Sequence, residues 1–250
     1  MDNLYIMVPV LFAAGFVNAV AGGGGMVTIP VLLALNIDTK IAIGTNKLQA
    51  TMGSFTATLN YVLKGQVKLG ENLLGILLTA IGAIIGAIVT FHLSSEFLKI
   101  IIPFALLFVL VYSLMNSKLG LTESHQKLKL RTFYLIFGVL IGFYDGFFGP
   151  GTGSFWMVAI MHFLGYEMRK AAATMKLMNF TSNFCSLCMY CCLGLVNFGY
   201  GLTVGIGSIV GAKIGSNLAI HKGAKFIRPV FLVIITIAVI YNFIKFIVLK

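Results

Sequence analysis

The sequence predicts an all-α polytopic membrane protein made of two inverted-topology repeats, each a glycine-broken helical element followed by three spanning helices. Three observations lead there. Of 250 residues, 59% are hydrophobic and only 10% are charged, whereas soluble domains carry about 25% Asp, Glu, Lys and Arg. The apolar stretches between charged clusters reach the roughly 20 residues that a helix needs to cross ~30 Å of hydrocarbon. The second half of the chain then repeats the first in order.

The repeat is carried by matched residues. Gly15-Phe16-x-Asn18 returns as Gly142-Phe143-x-Asp145, and the run Gly22 to Gly25 returns as Gly149-Pro150-Gly151-Thr152-Gly153. Thr45-Asn46-Lys47-Leu48 returns as Thr174-Met175-Lys176-Leu177, with Phe55/Phe184, Tyr61/Tyr190, Gly65/Gly194 and Val67/Val196 following at constant offset. Gly82 and Gly86 match Gly207 and Gly211, and Lys99-x-x-x-Pro103 matches Lys225-x-x-x-Pro229. The repeats occupy 1–116 and 132–250, joined by a polar cytoplasmic linker, 117–131, holding Lys118, Glu123, His125, Lys127, Lys129 and Arg131.

Taken in order, the first half reads Leu4–Ala21, Met26–Leu35, Ile41–Leu63, Leu69–Phe91 and Phe97–Met115. The second reads Phe133–Phe148, Ser154–Leu164, Ala171–Leu193, Phe198–Ile220 and Phe226–Val248. Leu4–Ala21 ends in Ala19-Val20-Ala21, which imitates a signal-peptidase site. No Lys or Arg precedes it, however, and the segment recurs later, so it is read as structural. Met26–Leu35 and Ser154–Leu164 are too short to span alone. Each glycine break therefore makes an interrupted helix, a re-entrant hairpin or two tilted crossings.

Cationic residues separate these options. An interrupted helix, counted as one span, divides the Lys and Arg residues almost evenly between the two sides. A hairpin or two crossings puts Lys64, Lys68, Lys118, Lys127, Lys129, Arg131, Arg169, Lys170, Lys222, Lys225 and Arg228 on one side and leaves Lys40, Lys99, Lys245 and Lys250 on the other. The second arrangement obeys the positive-inside rule and inverts the second repeat relative to the first. It places both termini outside a bacterial plasma membrane. The formal charge of +11 is thus accounted for by cytoplasmic loops, and no soluble basic face remains for nucleic acid.

Paired glycine breaks in matched positions are the strongest sequence pointer to a transport site. Irregular backbone within a membrane must be buried in protein or face a watery cavity. Candidate substrate-binding residues are therefore Gly22, Gly23, Gly24, Gly25 and Thr28 at the first break, and Gly149, Gly151, Thr152, Gly153 and Ser154 at the second. The helix N-terminal amides at Val27-Thr28 and Ser154-Phe155 favour an anion. Gly82, Gly86, Gly207 and Gly211, spaced by four, read as close helix packing instead. Lys47 and Lys176, with Asn46, lie about one turn into long apolar helices at matched positions. They either flank a small anion or snorkel to the interface.

Asn18 and Asp145, one turn before the glycine runs, are polar residues for structure or coupling, as are Gln49, Asn179 and Asn183. Asp145 neutralises Lys176, caps a half-helix or carries a coupling proton. Trp156 and Phe155 wall a cavity or sit at an interface. Cys185, Cys188, Cys191 and Cys192 share one apolar helix and read as buried small hydrophobes rather than a redox or metal centre. No metal set, catalytic nucleophile or cofactor motif is evident, and no nucleotide-binding motif occurs.

The stretches GFVNAVAGGGGMVTIPVLL, GTNKLQATMGSFTATLNY, GFYDGFFGPGTGSFW and ATMKLMNFTSNF resemble the paired signatures of the sulfite exporter TauE/SafE family. They are closest to a bacterial subgroup described as probable membrane transporters. The resemblance covers nearly the whole chain, the linker aside. It implies a carrier for sulfur-containing anions such as sulfite or organosulfonates, in the direction of export. The residues themselves indicate only an anion. The expected partners are a small anionic substrate, the lipid bilayer and a coupling proton or sodium ion, with a homodimer as an open arrangement. Two rival readings remain: a passive anion channel, and a membrane thiol redox enzyme using the Cys185–Cys192 cluster.

Overall fold

The computed structural model describes residues 4–92 and 121–248, with 107, 110, 111, 114 and 115 between them. The span expected at 97–115 (those positions aside), the Lys99-x-x-x-Pro103 signature and Lys118 lie outside the described residues. The described residues form helices and connecting turns, with no strand among them. In chain order the helices are α1 (Leu4–Ala21), α2 (Gly24–Ala34), α3 (Thr39–Leu63) and α4 (Leu73–His92). They continue with α5 (Leu130–Phe147), α6 (Thr152–Leu164), α7 (Met168–Cys192), α8 (Phe198–Lys222) and α9 (Ala224–Val248). Gly70–His92, α5 and α8 are long and apolar enough to cross a membrane.

Helices α3 and α7, 25 residues each, also have the length at 1.5 Å per residue. Their middles carry Lys, Asn, Gln, Ser and Thr that no lipid could satisfy. The other helices shield that polarity, since α3 packs on α8 and α7, and α7 packs on α4. On the outside, α4 exposes Leu77, Ile81, Ile85 and Ile88, α8 exposes Leu202, Ile206, Val210 and Ile214, and α9 exposes Val233, Ile237 and Ile240. Aliphatic stripes of this extent belong against a bilayer.

At both glycine breaks the chain turns back on itself. Gly22 (φ +73°), Gly149 (φ +96°) and Gly151 (φ +82°) adopt left-handed backbone that makes the reversal. After the first turn, Gly24 lies beside Ala14 and Asn18, so that a Cβ there would sit 2.9 Å from the Ala14 carbonyl oxygen. A straight interrupted helix would hold residues ten apart about 15 Å from each other. After the second turn, α6 returns to the start of α5. The Phe163 carbonyl accepts from the Lys127 and Leu128 amides at 2.9 and 3.1 Å, and the Gly165 carbonyl accepts from the Ser124 amide at 2.8 Å. Both breaks are hairpins.

The two central helices run antiparallel. The Phe55 and Phe180 rings are 5.3 Å apart, Thr58 donates to the Lys176 carbonyl at 2.9 Å, and the start of α3 meets the residues just after α7 through an Asn197 amide to Thr45 Oγ1 bond of 3.0 Å. One face of the molecule thus collects the end of α3, residues 121–129 of the linker, the starts of α5, α7 and α9, and the ends of α6 and α8. It bears Lys64, Lys68, Lys127, Lys129, Arg131, Arg169, Lys170, Lys222, Lys225 and Arg228. Contacts that knit it include Lys170–Glu123 at 3.7 Å and Gly223 packed under the Arg169 guanidinium. On the opposite face, Lys40 donates to the Phe91 carbonyl at 2.8 Å, joining the start of α3 to the end of α4.

Packing between the two halves is reciprocal: α1 lies on α8, and α5 on α4. Gly82 and Gly86 meet the backbone of α5 at Val139 and Phe143, while Gly211 and Gly215 meet that of α1 at Phe12 and Phe16. Gly142 rests on Thr79, and Gly15 on Ser208. In each case a Cβ would strike main chain, so the close-packing reading of Gly82, Gly86 and Gly211 holds. The equivalence is nevertheless Gly82/Gly211 and Gly86/Gly215, one turn away from the sequence match. Here 211 − 82, 215 − 86 and 208 − 79 all equal 129, the offset of 174 − 45 in the preceding helices. Helix α8 has glycine at 207, 211 and 215, so a slip of four still lays glycine over glycine and the pattern alone does not fix the register.

Candidate functional site

Lys47 and Lys176 are each the ninth residue of their helices, because the helices start earlier than the apolar runs do. The Asp38 carboxylate caps α3 by accepting from the Lys40 and Ile41 amides, and α7 begins at Met168. Eight residues at 1.5 Å put each lysine about 12 Å into its helix. Both are fully buried, at 0% exposure. Snorkelling is therefore excluded for both, and the expected depth of one turn is corrected to more than two.

The two lysines have different partners. Lys47 donates to the Asp145 carboxylate at 2.8 Å and to the Asp145 backbone carbonyl. The other carboxylate oxygen accepts from Ser182. Gly149 closes over this pair: a Cβ there would fall 2.7 Å from Lys47 Nζ and 2.9 Å from Asp145 Oδ1. Lys176 instead donates to the side-chain oxygen of Asn18 at 3.1 Å, a neutral group and its one hydrogen-bond partner among the described residues. Asp145 thus pairs with the lysine of the other half. A direct ion pair with Lys176 is not formed, because the tip of α5 reaches across to α3, although the Asp145 charge still acts on Lys176 through space. With both lysines protonated, two ammonium groups and one carboxylate would leave one positive charge among these buried side chains.

The hairpin tips meet between these lysines. Gly22 and Gly153 touch main chain to main chain, Asn179 lies against Gly22, and Asn46 lies against Gly25. Four buried polar atoms here have no hydrogen-bond partner among the described residues: Asn18 Nδ2, Asn46 Oδ1, Ser154 Oγ and Asn179 Oδ1. An unsatisfied buried polar atom costs about 1–3 kcal/mol, so four around one tip-to-tip junction mark a place built for something polar. Trp156, fully buried one turn beyond Thr152–Gly153, adds an unpartnered indole N–H, which removes the interfacial-belt reading.

Other candidates are committed to structure. Thr28 donates to the Gly24 carbonyl and to Gln49, each at 3.2 Å, and Gln49 donates to Ser208. Thr152 caps the second tip through the Gly149 carbonyl at 2.6 Å, and Asn183 bonds back to the Asn179 carbonyl at 2.6 Å. The expected anion-facing amides also shift. Helix α2 begins at Gly24, so the uncapped amides there belong to Gly24 and Gly25, beside Gly23, rather than to Val27-Thr28. Those of Ser154 and Phe155 are taken by the Gly151 carbonyl at 2.8 and 3.3 Å.

Ser182 and Ser208 complete the network and were not singled out as site residues in the sequence. Ser208 occupies the position matching Thr79, a polar pair hidden by the misplaced register of α4 and α8. The cysteines are corrected too: Cys188, Cys191 and Cys192 are exposed and Cys185 is half-buried.

A helical protein of the bilayer, with a buried cationic junction between two hairpin tips, belongs to the class of membrane transporters. The particular family follows from sequence comparison: residues 7–242 match the sulfite exporter TauE/SafE family, and the chain belongs to it. A "probable membrane transporter protein ORF9" of Sinorhizobium is 42% identical over 227 residues, 91% of this chain and 87% of that protein. The "probable membrane transporter protein YfcA" of Escherichia coli K12 is 36% identical over 241 residues, 93% and 90% of the two chains. A "probable membrane transporter protein" of Haemophilus influenzae is 39% identical over 233 residues, 92% and 90%. No solved structure matches.

Proposed function

We propose that this membrane transporter is a secondary carrier of a small anion, bound at the junction of the hairpin tips and held chiefly by Lys176. The observation that carries the reading is the Lys176–Asn18 pair: a fully buried ammonium whose partner is neutral. Intramembrane cations are costly, at least about 2.5 kcal/mol on insertion scales, and normally have a charged partner or a function. A bound anion supplies the missing negative charge. Asn18 Nδ2, Ser154 Oγ and the Trp156 indole are donors suited to its oxygens, with Asn46 and Asn179 beside them. The family supports sulfite or an organosulfonate as the anion and export as the direction.

Alternating access is the mechanism this architecture favours. Antiparallel packing of the matched helices α3 and α7, and the crowding of Lys and Arg on one face, support inverted repeats. In this reading the cationic face is cytoplasmic, and both termini lie outside a bacterial plasma membrane. Without a nucleotide-binding motif, the work would come from a gradient of substrate, proton or sodium.

The test is sulfite and sulfoacetate flux in proteoliposomes, wild type against Lys176→Met. Saturable flux lost in the variant is the expected result. Equal flux in both would remove Lys176 from the site, and flux that rises linearly with concentration would make the protein a channel.

A further inference from the structure

The two faces of the molecule are not in the same state. On the cationic face a cavity of about 590 Å³ opens between the α3–α4 loop, the linker and the start of α7. Its walls include Gln66, Lys68, Glu123, Tyr166 and Lys170, and Thr174 also lines it. Thr174 is itself 2% exposed and lies two residues before Lys176. The matched place on the opposite face is the start of α3, at Thr45, and there the chain is shut. The Asn197 amide donates to Thr45 Oγ1 at 3.0 Å, and the Leu195 carbonyl presses on Gly44 so closely that a Cβ would collide with it.

The offset of 129 maps each of these residues onto its counterpart: Thr45 onto Thr174, Asn197 onto Lys68, Leu195 onto Gln66, and Gly44 onto Ala173. The contact that closes one face therefore has a counterpart on the other, the Lys68 amide with Thr174 Oγ1. There both residues line the cavity.

We infer that the cavity is the access vestibule of the Lys176 site, and that Thr45–Asn197 and Thr174–Lys68 are paired gates, one of which closes as the other opens. The inference rests on the transport reading above. The chain is caught with its cationic-face gate open. Ala173 gives a reason for that preference. Its methyl group stands where Gly44 lets the facing loop approach, so the Gln66 loop cannot seat as deeply on α7 as the Leu195 loop seats on α3. Closure on the cationic face is thus the weaker of the two, and the resting protein favours that side open.

Gating can be read without any substrate. In a background with Cys185, Cys188, Cys191 and Cys192 replaced by Ser, single Thr45→Cys and Thr174→Cys reporters are labelled in membranes with an impermeant maleimide from either side. Thr174→Cys, on the cavity wall though only 2% exposed, is expected to react slowly and from the cationic face alone. Thr45→Cys, at a position 1% exposed and bonded to the Asn197 amide, is expected to react more slowly still. Adding Gly44→Ala, which wedges the Leu195 loop away, should raise labelling at Thr45→Cys roughly tenfold and lower it at Thr174→Cys. A rise at the first without a fall at the second would mean that the faces move independently, and the inference would be wrong.

Disulfide pairs supply the second arm. Thr45→Cys/Asn197→Cys should link readily and stop sulfoacetate flux until reduced. Lys68→Cys/Thr174→Cys should link more slowly, with the same effect. Sulfoacetate is used because sulfite itself cleaves disulfides. A linked Thr45–Asn197 pair that still transports overturns the gates and leaves the transporter. Coupled labelling in folded protein that moves no anion leaves the gates and overturns the transport reading.

Discussion

Lys47 and Lys176 occupy equivalent positions on antiparallel helices, yet they are held in opposite ways. Lys47 has a carboxylate, closed off by Ser182 and by Gly149. Lys176 has an amide and, around it, polar atoms without a partner among the described residues. The whole difference traces to one matched pair, Asp145 in the second half and Asn18 in the first. The matched halves thus make one lysine a fastening between hairpin tip and central helix and leave its counterpart with a neutral partner. Equivalent position in a repeat does not mean equivalent role, and the partner decides it.

Removing the fastening should have the largest effect. Lys47→Ala leaves the Asp145 carboxylate buried and unpaired, and breaking such a pair costs about 3–5 kcal/mol. The purified variant should melt far below wild type in detergent. Lys47→Met with Asp145→Leu, which removes both charges, should recover most of that loss. A Lys47→Ala protein as stable as wild type would mean that the pair is no fastening.

Next comes the lysine with the neutral partner. Asn18→Asp copies the Asp145 arrangement onto Lys176 and removes the one surplus positive charge. Anion flux should fall by at least about tenfold, since filling the role of the substrate's charge forfeits 1.4 kcal/mol or more of binding, while thermal stability holds or rises. Unchanged flux would show that the substrate does not answer Lys176. Gly149→Ala should cost less, about 1–3 kcal/mol, because it imposes both the left-handed backbone strain and a methyl group against the Lys47–Asp145 pair. The expected signature is a lowered melting temperature with flux intact in the protein that remains folded.

Much of this arrangement was legible beforehand. The glycine breaks and the matched lysines leave marks in the sequence, and ten of the eleven cationic residues grouped by charge, Lys118 lying outside the described residues, share one face of the fold. Partner choice was not legible. Whether Asp145 meets Lys176 on its own side or Lys47 across the junction depends on how two hairpin tips pass each other, which no local pattern encodes. The depth of the lysines is hidden because α3 and α7 start at Thr39 and Met168, ahead of their apolar stretches. Exposure was hardest of all. Against lipid, outward and inward positions are both apolar, so the periodicity that separates face from core in a soluble helix is erased. The outward placement of the cysteines is hidden for that reason.

The cysteine stripe should show the smallest effect. Subtracting the offset of 129 from Cys188, Cys191 and Cys192 gives Leu59, Val62 and Leu63, of which Leu59 is 45% and Leu63 72% exposed. The first half thus places aliphatic side chains where the second places thiols, on the outward side of α7 beside exposed Phe184. Replacing all four cysteines by Ser or Ala changes outward or half-buried positions, where substitutions usually stay within about 0.5 kcal/mol, and flux should remain within roughly twofold of wild type. Flux abolished by the replacement, or an activity that follows the thiol–disulfide state, would instead make the stripe part of the mechanism and break the parallel with Leu59 and Leu63.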